Sequence, residues 1–203
     1  IFKQVLSLFF KNVIKLFMKV SKMKIGYWLG NIGIKSGGSG PYAWRILEVL
    51  LENSQAHKID IIILCSANAE ANCLKLIDKY QARAKIFLIP PWIILLSRVL
   101  FSIKLTLLGK FLSQMPIKLN VIIGVIQNFK PWLPWFRSLE LDLLHVPVQT
   151  PPYYDLPYPF VVTMHDVQEL HYPNFFTPQV RIWRAKYYRE ALEKSRAVVV
   201  SFN

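Results

Sequence analysis

His165 and Asp166 follow directly on the apolar run 160–164, FVVTM. An imidazole and a carboxylate at the end of a buried strand can exchange protons or hydrogen-bond a ligand, and polar groups in such places are usually held there for a task. A second candidate is the stretch 30–40, GNIGIKSGGSG, which ends on Gly37, Gly38, Ser39 and Gly40 just before Pro41. Glycines can adopt φ > 0 and leave backbone N–H groups open, and a helix starting at Pro41 would add its positive dipole end. That combination suits a phosphate or a sugar hydroxyl. If both features follow parallel strands, they share the carboxyl edge of one sheet, where α/β proteins bind ligands.

Other chemistries fit less well. Gly38-Ser39-Gly40-Pro41-Tyr42-Ala43 matches the dinucleotide pattern G-x-G-x-x-G/A, but residues 30–37 separate it from the preceding strand. The next strand also ends near Cys65 and Ser66 without the acid that would hold a ribose. His145, His165, Asp166 and His171 all fall near strand ends, yet no two histidines have a tight metal-ligand spacing, so no metal is expected. Cys65 and Cys73 form neither a CxxC nor a zinc pattern and read as buried small side chains of a protein in a reducing compartment. A glycine loop that only turns the chain, and a histidine that only caps a strand, remain open alternatives.

The elements that must position these residues can be read from periodicity. The chain is 53% hydrophobic and 18% charged, which predicts a packed core rather than disorder. Short β-branched runs at 24–29, 59–66, 85–89, 119–123, 141–146, 160–164 and 197–202 read as strands. Helical patterns at 41–53, 69–81, 92–112 and 178–195 alternate with most of them. Such alternation predicts an α/β fold with a doubly wound, mostly parallel sheet. The strand-like start at Met23 predicts a natural initiation there, with residues 1–22 a separate helical extension. Lys11, Lys15, Lys19 and Lys22 of that extension fall on one stripe among apolar residues, as in a cationic amphipathic helix.

The net charge of +13 is unevenly spread. Residues 1–24 hold six lysines and no acid, and between Asp78 and Glu140 there are nine basic residues and no acid. This field favours an anionic partner, whether lipid headgroups, nucleotide phosphates or nucleic acid, unless it is only a solvated basic surface. The stretch 92–112 is long and apolar, but Arg98 and Lys104 would each cost about 2.5–3.5 kcal/mol near a bilayer centre, so it does not read as a transmembrane helix. Residues 1–20 lack the unbroken apolar stretch and cleavage site of a signal peptide. The expected location is cytoplasmic, with peripheral attachment to the inner face of a membrane through 1–22 and 92–112.

Two stretches carry a resemblance. MKIGYWLG followed by GGSGPYAWRILEVL resembles the opening of family 4 glycosyltransferases, in which a first strand leads through a GG-x-G loop into a helix. The stretch from LDLLHVPVQT to AVVVSF, with TMHD and YPNFF inside it, is similar to the family's "hvp" strand, "T-x-HD" strand end and "vi-v-S" strand. The likeness covers about residues 23–203, with 67–140 alike only in pattern.

The resemblance implies a Rossmann-like domain, 23–203, forming the N-terminal, acceptor-side half of a two-domain GT-B enzyme. Such an enzyme is a retaining hexosyltransferase that uses a nucleotide-sugar donor, needs no metal or other cofactor and works in polysaccharide synthesis on a glycan or lipid-linked acceptor. It also implies that Gly37, Gly38, Ser39 and Gly40 lie near the donor phosphates and the acceptor, that His165 hydrogen-bonds the reacting sugar, and that Asp166 orients the strand-end turn. Nucleic acid is not an expected partner. The family's E-x7-E pair lies in a second, donor-binding domain that is not matched here. Glu190 and Glu193 are not that pair, since they belong to the predicted helix 178–195. Without leaving-group stabilisation, these residues alone are expected not to turn over. The rival from another class is a non-catalytic module, derived from such an enzyme, that binds a membrane or a partner.

Overall fold

The computed structural model describes residues 23–33, 38–96 and 130–200. Four sequence expectations therefore lie outside the described residues: the helix at 1–22, Gly37, most of the helix at 92–112, and the strand at 119–123.

Among the described residues six strands form one all-parallel sheet: β1 (Met23–Gly30), β2 (Ile59–Cys65), β3 (Ala84–Leu88), β4 (Leu143–Val146), β5 (Phe160–Met164) and β6 (Ala197–Val200). Their order across the sheet is β3-β2-β1-β4-β5-β6. The chain winds outward from β1 to β3, crosses back, and winds the other way from β4 to β6. This is a Rossmann-like α/β fold, and its topological switch lies between β1 and β4.

Burial on both faces explains why the central strands read as near-continuous apolar runs. On one face Ile25, Tyr27 and Leu29 of β1 and Ile61, Ile63 and Cys65 of β2 pack under α1 (Ser39–Ser54) and α2 (Ala67–Tyr80). The apolar stripe of α1 includes Trp44, Leu47, Val49, Leu50 and Leu51, all buried. On the other face Trp28, Ile62 and Leu64 pack with Ile93 of the helical stretch 91–96 and with Trp132 and Phe136 around α3 (Leu133–Ser138). Gly26 of β1 has its missing Cβ filled by Leu141 and by Leu144, whose Cδ1 would lie 2.9 Å from it. The chain after β5 forms the short α4 (Gln168–His171), a 3-10 turn (Pro173–Phe175) and α5 (Pro178–Lys194).

Two boundaries differ from the sequence expectation for local reasons. Helix α1 starts at Ser39, not at Pro41, because Gly38 already has helical backbone angles (φ −67°, ψ −31°). Ser39 and Gly40 are thus part of the first turn rather than of a loop. Strand β4 starts at Leu143 rather than 141. Glu140 takes a left-handed conformation (φ 49°), and the Asp142 carboxylate accepts the Lys24 backbone N–H at 2.7 Å, so the chain enters the sheet two residues late.

Candidate functional site

The site is built where β1, β4 and β5 end. Gly30 closes β1 in a left-handed conformation (φ 56°), and it alone among the described glycines has positive φ. That corrects the expectation for the glycine loop: Gly38 is an exposed helix N-cap residue with ordinary angles, so its value lies in open backbone rather than in φ > 0. The first N–H groups of α1 have no partners within the helix, and they point out of its N-terminus. Trp44 donates its indole N–H to the Ile32 carbonyl at 3.1 Å, tying the chain after β1 to the start of α1.

His165 stands directly after β5 and is half-buried. Its Nε2 lies 2.8 Å from the carbonyl oxygen of Pro147, the first residue beyond β4. A carbonyl can only accept, so the ring donates from Nε2, and in the neutral ring Nδ1 carries the lone pair. The imidazole thereby bridges the ends of β5 and β4. The edge of Tyr42, in the first turn of α1, meets the same ring with centroids 4.6 Å apart and planes at 90°. Through Tyr42 the structure brings the helix after Gly38, Ser39 and Gly40 against His165, beside the switch point.

Beneath this contact runs a buried polar chain. The Thr163 hydroxyl hydrogen-bonds Tyr42 and lies 3.3 Å from Nε2 of His145. His145 is fully buried, and desolvation lowers its pKa from 6.5 to about 4, so it stays neutral near pH 7. Its ring meets Tyr27 edge-on at 5.4 Å, and the Tyr27 hydroxyl donates to the Ala43 carbonyl at 2.6 Å. Burial raises the pKa of both phenols, partly opposed at Tyr42 by the bond from Thr163. All four side chains are neutral donors or acceptors held by one another, which fixes the shelf on which His165 rests.

Asp166 turns away from this shelf. Its carboxylate lies 3.7 Å from Arg184 of α5, which also holds the buried Glu169 of α4 at 2.8 Å. Asp166 therefore anchors the turn after β5 to α5, and the candidate residues gathered at the edge are His165 and the start of α1. Sequence reasoning missed Tyr42 and Thr163. Thr163 had a faint signal, as the single hydroxyl in FVVTM, while Tyr42 reads as one more aromatic on an apolar helix face.

The fold defines the class of protein at the level of a Rossmann-like α/β domain. No family model, curated protein or solved structure matches the chain. Among the described residues no group of three or more His, Cys, Asp or Glu could hold a metal ion, and no helix is long and apolar enough to cross a membrane.

Proposed function

We propose that this chain is the acceptor-side part of a retaining glycosyltransferase that moves a hexose from a nucleotide sugar to a glycan or lipid-linked acceptor. The observation that carries the reading is the contact between Tyr42 and His165, which sets an imidazole against the N-terminus of α1 at the topological switch. A nucleotide sugar presents two chemistries together, an anionic diphosphate and a ring of hydroxyls. The N-terminus of α1, at Gly38 to Gly40, suits the first through its positive dipole end. His165 suits the second, since an imidazole at the carboxyl edge can hydrogen-bond a sugar hydroxyl and orient the ring for transfer.

Glycosyl transfer also needs cationic or dipolar groups on the leaving diphosphate and an acid pair near the donor sugar. The E-x7-E pair implied by the resemblance is not matched within the 203 residues, so we assign donor activation to a second domain. We also assign the work to the inner face of a membrane, on the strength of the basic field in the sequence. The coding sequence beyond residue 203 tests the proposal. A continuation that carries E-x7-E, and whose protein releases nucleoside diphosphate from a sugar nucleotide only when acceptor is present, is the expected result. A continuation without such acids, or no continuation at all, overturns it in favour of a binding module.

A further inference from the structure

The segment after His165 holds apolar side chains outward. Leu170 is 72% exposed, Tyr172 60% and Phe175 83%. This is not loose chain. Arg184 pins the inner side of the segment, through its pairs with Glu169 and Asp166 and through its guanidinium lying 4.6 Å from the Phe176 ring centroid. The outer side is thereby presented as a unit, with the Tyr172 and Phe175 rings in contact at 6.2 Å. Val180, in the first turn of α5, adds a further exposed apolar side chain.

Charge accompanies the apolar surface. Residues 170–189 contain Arg181, Arg184, Lys186 and Arg189 and no acid. Arg184 is committed to Glu169, and Arg189 pairs with Glu193 at 2.7 Å. Arg181 and Lys186 are exposed and leave the segment cationic.

We propose that this segment is a lipid-docking surface: Leu170, Tyr172 and Phe175 enter the interface of an anionic bilayer while Arg181 and Lys186 meet its headgroups. Charge complementarity selects an anionic bilayer: an apolar tip followed in the chain by exposed cations is what interfacial insertion into anionic lipid requires. The inference deepens the membrane-facing part of the proposed function. It needs no sugar transfer, so its failure leaves the transfer chemistry untouched.

The test uses the full chain carrying Phe175→Cys, labelled with an environment-sensitive fluorophore. Both native thiols, Cys65 and Cys73, are fully buried, so the label goes to the introduced one. With vesicles of mixed phosphatidylglycerol and phosphatidylcholine, a blue shift that salt weakens is expected, and none with phosphatidylcholine alone. Replacing Leu170 and Tyr172 by Ser should lower vesicle partitioning at least about tenfold. Vesicle binding with no change at the label would overturn the proposal and leave attachment to residues 1–22 or 92–112. A blue shift without lipid that grows with protein concentration would overturn it too, in favour of a second copy of the chain.

Discussion

Within a single register row of the sheet, the two sides of β1 have opposite chemistry. Ile86 of β3 and Ile63 of β2 lie on one side of Tyr27, and His145 of β4 lies on the other. The β2–β3 side is dry: Ile63 is fully buried among the aliphatic side chains beneath α1 and α2. The β4–β5 side carries His145 at the same level and, two residues beyond its register partner Val161, Thr163, whose hydroxyl lies 3.3 Å from the imidazole. The difference shows what each side is for. An apolar contact needs only volume and exclusion of water, whereas a buried imidazole and hydroxyl cost stability unless each is bonded, and the fold supplies those bonds only at the edge beside the switch.

Removing volume from the dry side should have the largest effect. Ile63→Ala is expected to cost about 2–5 kcal/mol, because the neighbouring strands cannot close over the cavity. Chemical denaturation reads this as a lower midpoint at unchanged slope. The environment of His165 should change far less than the stability does, since Ile63 lies in the apolar cluster beneath α1 and α2. A change at His165 as large as the stability loss would mean that the two sides are not separate.

The polar side should instead reveal itself through pH. His145 binds a proton at pH 6.5 when unfolded and only near pH 4 when folded. The unfolded state thus holds more protons between those values. The stabilising effect of neutral His145 is full above pH 6.5 and is lost as pH falls towards 4, by about 3 kcal/mol at most. His145→Gln has no titrating ring, and its stability should fall less steeply over the same window. Equal slopes for the two proteins, measured by denaturant titration at a series of pH values, would place the proton-linked group elsewhere.

The strands were legible in the sequence because β-branched runs such as IDIIILC and FVVTM are buried on both faces and admit no other reading. The stop of β1 at Gly30 and the carboxyl-edge position of His165 could be read for the same reason. Three features could not be. The start of α1 depends on Gly38 taking helical angles, which its sequence leaves open. The late entry of β4 depends on Asp142 capturing a backbone N–H of Lys24, far away in the chain. The partnership of Tyr42, Thr163 and His165 depends on strand order, which puts β5 two places from β1 and lets α1 reach across. Asp166 was expected to orient the turn; its ion-pair partner in the fold, Arg184, lies on a helix that local patterning does not connect to it.

The proposed transfer requires a sugar hydroxyl to meet His165 beside the N-terminus of α1. Histidine side-chain NMR on the full chain tests it most directly, with uridine-, guanosine- and adenosine-diphosphate hexoses and simple glycosides added in turn. Saturable shifts of the His165 ring are expected, accompanied by the backbone amides of Gly38, Ser39 and Gly40, with the buried His145 little changed. Those amide shifts should weaken with His165→Ala. Saturable binding that leaves His165 and these amides unmoved while shifting residues at the amino edge of the sheet would contradict it, as would no response to any of these ligands.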